Sequence, residues 1–227
     1  MEKKYKTVPE GNRLRIIALK DFSDVKKGDR GGLIEKEYNL NQEGDCWIYE
    51  NARVSGMACV ADNAKIYGHA WVYGKAWVFD NAQVYDNARV GGDTEIEDNA
   101  KIYGHAKVFG NARVCDNACA WENAKIYDCT CVSDNACVHG NARVFGDAVV
   151  CEEAEICGNV KVWSTNMGNI STSIKNNKDY VIFGNKNEFR MFPSNIKSPI
   201  RRQDISIVEK NYIKNIQTIR QIYGKEI

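Results

Sequence analysis

An apolar residue recurs at every sixth position through the middle of the chain. The twenty positions of this series from Ile48 to Val162 hold Val or Ile except Ala120, and the residue two before each is nearly always Ala. Side chains two apart on a strand point to the same side of it. Each six-residue repeat therefore predicts one short strand, and the strict period predicts a solenoid whose coils bury their apolar faces by stacking.

A second period of eighteen residues lies within the first. The triplet Asp-Asn-Ala recurs at 62–64, 80–82, 98–100, 116–118 and 134–136. Three repeats therefore form one coil with three strands and three corners. The Gly, Asp and Asn residues at the corners supply the backbone conformations that tight turns need. We predict an all-β fold, a triangular left-handed parallel β-helix of about six coils over residues 47–163.

The N-terminal segment is predicted to cap the solenoid. An open solenoid exposes strand edges at its ends, and exposed edges invite aggregation unless they are covered. Residues 1–46 are therefore expected to form a β cap, with a strand at residues 14–18 and a turn at residues 29–32.

The C-terminal segment departs from the repeat after residue 163. Residues 164–203 predict a loop over 164–178 and a short strand pair around Gly184 and Asn185, a turn signal. Residues 204–227 carry apolar residues at helical spacing and predict an amphipathic helix. This helix folds back on the last coil, packs against another copy, or binds a partner.

These repeats resemble the hexapeptide-repeat superfamily, whose best-known members are acyltransferases. The lead-in over residues 19–52, LKDFSDVKKGDRGGLIEKEYNLNQEGDCWIYENA, resembles more narrowly the YdcK-like hexapeptide proteins. Relatives with this lead-in are frequent in phages and prophages. The resemblance implies the β-helix fold. For the acyltransferases it implies an acyl-CoA donor, a His base near a loop that leaves the solenoid, and commonly a trimer.

Two outward columns on one face suggest a binding surface. Residues eighteen apart stack on adjacent coils, which gives one column that is mostly basic and a second that is mostly aromatic. Cations pair with phosphates, and rings stack on bases. Alternatively, the long basic stems only cover aromatic surface. The candidate binding residues are Arg53, Trp71, Tyr73, Arg89, Lys107, Phe109, Lys125, Tyr127, Arg143 and Lys161.

One corner of the coil is acidic. Its column consists of Asp62, Asp80, Asp98, Asp116, Asp134 and Glu152. Asp at a tight turn hydrogen-bonds the backbone of the turn, which explains the column without a ligand. Divalent cation binding and mimicry of a phosphate backbone remain alternatives.

The cysteines and histidines do not form a recognisable catalytic or metal-binding motif. None of the nine cysteines belongs to a C-x-x-C pair, so we predict no metal site and free thiols, although Cys119 and Cys137 fall on adjacent coils. His69 and His105 occupy polar corner positions, and His139 continues an aromatic column. We predict no catalytic residue and no cofactor.

Composition restricts the function only broadly. The formal net charge is +1, so any electrostatic argument must come from the distribution of charge. We see no signal peptide and no apolar run of the roughly 20 residues that a membrane helix needs. The chain is expected to be cytoplasmic, in the host cytoplasm if a phage encodes it, and to make no membrane contact.

Three functions remain open. The sequence favours a non-catalytic binding protein that docks on a protein or protein–nucleic acid complex, with direct RNA or DNA contact as one version. A phage inhibitor of a nucleic-acid-handling host defence complex is a concrete form of it. The alternatives are a hexapeptide-repeat acyltransferase and a purely structural or assembly role. A homo-oligomer is compatible with each of them.

Overall fold

The fold is a parallel β-solenoid, seen in a computed structural model that describes residues 2–164, 169–170, 174–176, 180–185 and 188–193. Three sheets run along its length, and most of their strands are two residues long. The all-β prediction is confirmed. The helix predicted over residues 204–227 lies outside the described residues. No helix in the described part of the chain is long and apolar enough to cross a membrane.

The described strands divide among three sheets. Sheet I has twelve: Tyr5–Glu10, Arg13–Ala18, Arg30–Ile34, Arg53–Val54, Trp71–Val72, Arg89–Val90, Lys107–Val108, Lys125–Ile126, Arg143–Gly146, Lys161–Ser164, Tyr180–Asn185 and Glu188–Pro193. Sheet II has eight: Trp47–Ile48, Lys65–Ile66, Gln83–Val84, Lys101–Ile102, Cys119–Ala120, Cys137–Val138, Glu155–Gly158 and Ile174–Asn176. Sheet III has seven: Cys59–Val60, Trp77–Val78, Glu95–Ile96, Arg113–Val114, Cys131–Val132, Val149–Val150 and Asn169–Ile170. A short 3-10 helix spans Glu37–Asn39.

Equivalent residues on neighbouring coils lie in register, eighteen residues apart. Arg89, for example, pairs with Trp71 on one side and with Lys107 on the other. Every residue of the six-residue series from Ile48 to Val162 is completely buried, and so is nearly every residue two before it. The interior is therefore the predicted column of Ala beside Val or Ile. The six-residue pattern therefore also determines which side chains point outward from the solenoid.

The corners adopt the left-handed backbone conformation, and Gly, Asp and Glu carry it in the coils. Asp116 has a φ of 56° and Gly92 a φ of 80°. A Cβ atom at Gly92 would lie 2.5 Å from the carbonyl oxygen of Gly110 on the next coil. Successive corners therefore pack backbone against backbone.

The N-terminal cap contains more strand than the sequence predicted. Tyr5–Glu10, Arg13–Ala18 and Arg30–Ile34 extend sheet I as antiparallel strands, and Leu33 then pairs with Arg53 of the first coil. The turn predicted at residues 29–32 is wrong, because residues 30–32 lie in a strand. Gly32 is needed there for close packing, since a Cβ atom would lie 2.3 Å from Cγ2 of Ile48.

The solenoid continues beyond residue 163 into the segment predicted as a loop. Val150 pairs with Ile170, and Val162 pairs with Ile182. Both pairs are twenty residues apart instead of eighteen, so the strand Asn169–Ile170 fell outside the periodicity, whereas Ile174 keeps the eighteen-residue register with Ile156. The predicted antiparallel strand pair is confirmed as Tyr180–Asn185 with Glu188–Pro193. About seven coils result, one more than the repeat alone indicated.

Candidate functional site: the basic and aromatic face of sheet I

The predicted basic column runs in register along sheet I. Neighbouring coils pair its members one above the other, and the column reads Arg53, Trp71, Arg89, Lys107, Lys125, Arg143 and Lys161. Adjacent strands lie about 4.8 Å apart, so the four cations from Arg89 to Arg143 span about 14 Å. The structure therefore brings these four together in an unbroken row.

The aromatic column stacks over part of its length. The rings of Phe109 and Tyr127 are parallel to within 3°, with centroids 5.2 Å apart. Those of Tyr127 and Phe145 are parallel to within 5°, with centroids 5.1 Å apart. This three-ring stack lies beside Lys107, Lys125 and Arg143, and we call it the aromatic wall.

Trp71 and Tyr73 form a separate cluster nearer the N-terminus. Their ring centroids are 4.7 Å apart, and the Trp71 indole donates a hydrogen bond to the Ser55 hydroxyl at 2.9 Å. The Tyr73 ring lies over Gly91, where a Cβ atom would come within 2.2 Å of it. Trp71 therefore interrupts the basic column, and Arg53 lies beyond the interruption.

A third column that sequence reasoning missed completes a groove. Asn87, His105, Asn123 and Asn141 flank the four cations on the side opposite the rings, and together they line an open groove of about 690 Å³. Each of these residues lies two positions before a basic residue of the column. That spacing could have found them, because side chains two apart share a face. We call this surface the sheet I groove, defined by Asn87, Arg89, His105, Lys107, Asn123, Lys125, Asn141 and Arg143.

The charged residues that line the groove, apart from His105, are all basic. Within the described residues, no carboxylate oxygen lies within 4.0 Å of the cationic nitrogens of Arg89, Lys107 or Arg143. On sheet III, by contrast, Arg113 is paired with the carboxylates of both Glu95 and Glu97. Stacked like charges repel, so this row lowers the stability of the isolated protein.

The acidic corner has a structural explanation. The Asp98 carboxylate accepts a hydrogen bond from the backbone N–H of Asp116 at 3.1 Å, and the Asp134 carboxylate accepts one from Glu152 at 2.9 Å. The neighbouring Asn column adds amide contacts between coils, such as Asn117 to Asn135 at 3.1 Å. These carboxylates therefore hold adjacent corners together, as the first of the three sequence interpretations expected.

His139 lies on sheet II and continues an aromatic stack, as the sequence predicted. Its ring is parallel to that of Trp121 to within 5°, with centroids 4.2 Å apart. The structure adds a carboxylate partner, because Nε2 of His139 lies 2.9 Å from Oε1 of Glu155. Sequence reasoning missed this partner, since the two residues are sixteen apart and outside the eighteen-residue register.

Four of the nine cysteines form two thiol pairs. Cys119 and Cys137 lie on adjacent coils of sheet II, as predicted. A hydrogen bond between the two sulfur atoms lowers the pKa of Cys119 to about 7 and raises that of Cys137. On sheet III the same kind of bond lowers the pKa of Cys131 to about 7 and raises that of Cys115. All nine cysteines are free thiols in this structure.

Comparison with known proteins supports the assignment of the repeat. A family model described as the YdcK Beta solenoid repeat matches residues 82–94. Over 55 residues the chain is 49% identical to the "Uncharacterized acetyltransferase YdcK" of Escherichia coli (strain K12). This stretch covers 24% of the chain and only 17% of that relative's length. The chain therefore contains a repeat of the YdcK β-solenoid type within its parallel solenoid, and it is similar to that relative over about a quarter of its own length.

Proposed function

We propose that the chain is a non-catalytic binding protein that takes a polyanionic macromolecule in the sheet I groove. Single-stranded nucleic acid, alone or held in a protein complex, is the partner that the groove fits best. The observation that carries the proposal is the row from Arg89 to Arg143, in which cations stack without a neighbouring carboxylate at Arg89, Lys107 and Arg143.

Electrostatics supports an anionic partner. The four cations project from strands about 4.8 Å apart, and like charges on adjacent strands repel one another. A phosphate backbone lying along the row relieves that repulsion and releases its own counterions. The favourable electrostatic free energy is therefore gained only in the complex.

The aromatic wall supports a single-stranded partner over a duplex. Phe109 is 36% exposed, and Tyr127 is partly exposed beside Lys107 and Lys125. Unpaired bases can stack on such rings while their phosphates contact the cations, whereas bases inside a duplex cannot. The amide and imidazole groups of Asn87, His105, Asn123 and Asn141 offer hydrogen bonds from the other wall.

A more specific form of the proposal is an inhibitor encoded by a phage or prophage. It would dock on a host defence complex at the place where that complex handles RNA or DNA. This form is motivated by the lead-in of residues 19–52, which resembles proteins frequent in phages. Capture of such a complex from host cells, repeated after nuclease treatment, would tell whether the groove contacts the protein or its strand.

The direct test is the binding of fluorescently labelled single-stranded RNA and DNA, followed by anisotropy. The double variant Arg89→Glu/Lys107→Glu should lose most of the affinity. Lys75→Glu/Lys101→Glu changes the net charge equally but lies outside the groove, so it should bind like the unmodified protein. Equal loss in both double variants, or in neither, would show that the groove is not the binding surface.

An acyltransferase is the second candidate function. Two observations favour it: the similar E. coli protein is named as an uncharacterized acetyltransferase, and a carboxylate lies within hydrogen-bond distance of His139. An imidazole held by a carboxylate is the arrangement that a general base needs. The test is acyl transfer from an acyl-CoA donor to an amine or hydroxyl acceptor. If His139→Phe abolishes this activity and leaves nucleic-acid binding unchanged, the acyltransferase function is established instead.

A further inference from the structure

A mixed cluster of metal-ligating side chains lies on sheet II, away from the sheet I groove. Nε2 or Nδ1 of His139, a carboxylate oxygen of Glu155 and Sγ of Cys157 all lie within 4.8 Å of one another. All three side chains are partly buried. They are a nitrogen, an oxygen and a sulfur donor, which is a ligand set that proteins use for zinc and related transition metals.

The solenoid backbone holds the three donors in place. Glu155 and Cys157 lie two apart on the strand Glu155–Gly158, so they share a face. The preceding coil supplies His139, whose backbone N–H donates to the carbonyl of Ile156 at 2.9 Å. Stacking on Trp121 fixes the plane of the imidazole ring. Two adjacent coils therefore present the donors without any contribution from a long loop.

We propose that His139, Glu155 and Cys157 form a site for a divalent transition-metal ion, Zn²⁺ by preference. Zn²⁺ binds such donors at about 2.0–2.3 Å in tetrahedral geometry, which places the donors roughly 3.5 Å from one another. Nε2 of His139 and Oε1 of Glu155 are already 2.9 Å apart, so the ion replaces the hydrogen bond between them, and Sγ of Cys157 approaches from within 4.8 Å. Three protein donors leave the fourth position for water or a ligand, and the site is independent of the sheet I groove.

A carboxylate on the other side of the imidazole supports this assignment. Oε2 of Glu122 lies 3.9 Å from Nδ1 of His139, while Nε2 of the same ring faces Glu155. A metal-bound histidine usually directs its second ring nitrogen to such a carboxylate, which fixes the tautomer. Glu122 does not hydrogen-bond the ring at this distance, and in the proposed site it moves closer to Nδ1 and acts as a positioning residue and not as a ligand.

A second cluster of similar composition is a poorer candidate. Glu97, Asp98 and Cys115 also bring their donor atoms within 4.8 Å of one another. Arg113, however, pairs with the Glu97 carboxylate, so the guanidinium already neutralises the negative charge of that carboxylate. The Cys115 thiol of that cluster also interacts with Cys131.

The test uses Co²⁺ as a spectroscopic probe in the full-length, reduced protein. Tetrahedral Co²⁺ gives intense visible absorption, and a thiolate ligand adds a near-ultraviolet charge-transfer band. The unmodified protein should show both, and one equivalent of Zn²⁺ should remove them. Cys157→Ser should lose the charge-transfer band, and His139→Phe should weaken binding while keeping the ring stack. Glu122→Gln should weaken Co²⁺ binding about 10- to 100-fold.

Matched variants separate this cluster from the other thiols and carboxylates. Cys129→Ser and Glu153→Gln alter exposed residues outside the cluster and should leave the spectrum unchanged. Far-ultraviolet circular dichroism of each variant confirms that the solenoid is folded. The proposal is overturned if the unmodified protein gives no charge-transfer band. It is equally overturned if folded Cys157→Ser keeps the band while Cys119→Ser or Cys131→Ser loses it.

Discussion

The carboxylate of Asp116 accepts a hydrogen bond from the backbone N–H of Asp134, 3.1 Å away on the next coil. Asp116 itself adopts a left-handed backbone conformation with a φ of 56°. One residue therefore does two things at the corner: it tolerates an unfavourable backbone conformation, and it joins one coil to the next. The same pair of properties recurs at Asp98 and Asp134.

Replacement of Asp116 by Ala should lower the free energy of unfolding by about 1–3 kcal/mol, because it removes the acceptor and strains the backbone. Asp116→Gly removes the acceptor but relieves the strain, so it should cost less. Thermal unfolding of the two variants, followed by circular dichroism, measures the difference. If Ala and Gly lower the unfolding temperature equally, the left-handed backbone contributes nothing at this corner.

Two buried threonines should respond oppositely to replacement by valine. Within the described residues, the hydroxyl of Thr94 has no hydrogen-bond partner, whereas that of Thr130 donates to the carbonyl of Tyr127 at 2.8 Å. An unsatisfied buried hydroxyl costs about 1–3 kcal/mol. Thr94→Val should therefore raise the unfolding temperature, and Thr130→Val should lower it. A lower unfolding temperature for Thr94→Val would mean that its hydroxyl has a partner in solution.

The thiol of Cys131 should be the more reactive member of its pair near neutral pH. The hydrogen bond from Cys115, and secondarily Arg113, lowers the pKa of Cys131 to about 7. Its thiolate form therefore becomes abundant as the pH rises through 7, and alkylation by iodoacetamide should rise over the same range. Peptide mass spectrometry after brief labelling measures this rate at each pH.

Cys59 provides the control for this measurement, because it lies in the same outward column of sheet III. Burial raises its pKa, so its labelling should begin only at a higher pH. Cys115→Ala removes the hydrogen bond and should move the Cys131 profile to higher pH. Identical pH profiles for Cys131 and Cys59 would contradict the thiol pairing.

The aromatic wall beside the groove should matter for the binding of nucleic acid but not for the binding of phosphate alone. Tyr127→Leu removes the central ring of the Phe109, Tyr127 and Phe145 stack. Loss of base stacking should weaken single-stranded DNA binding by about 1–3 kcal/mol. Binding of inorganic polyphosphate should be unchanged, and Tyr103→Leu on sheet II should affect neither ligand. Equal weakening for both ligands would mean that the ring only supports the shape of the groove.

The repeat predicted the solenoid because its apolar positions are strictly periodic. The same arithmetic placed Lys107 beside Arg89 and Lys125, since register follows directly from the eighteen-residue coil. It failed where the coil length changes, as between Val150 and Ile170. Gly32 was misassigned for a different reason: close packing and turn formation both select glycine, and the sequence does not distinguish them.

The periodicity also does not predict contacts between residues on adjacent coils that are out of the eighteen-residue register. His139 and Glu155 are sixteen residues apart, and they meet because their side chains lean toward each other across adjacent coils. The pairing of Cys115 with Cys131 has the same separation. Such contacts depend on side-chain rotation and not only on register. For this reason the periodicity alone does not predict the candidate metal site or the thiol pair of sheet III.

The salt dependence of single-stranded nucleic-acid binding tests the role of the sheet I groove most directly. The logarithm of the binding constant should fall linearly with the logarithm of salt concentration, with a slope of about −0.7 for each phosphate neutralised. Lys107→Gln should reduce the magnitude of that slope by about 0.7, and Lys101→Gln should leave it unchanged. Affinity that is independent of salt, or the same change of slope in both variants, would contradict the proposed binding surface.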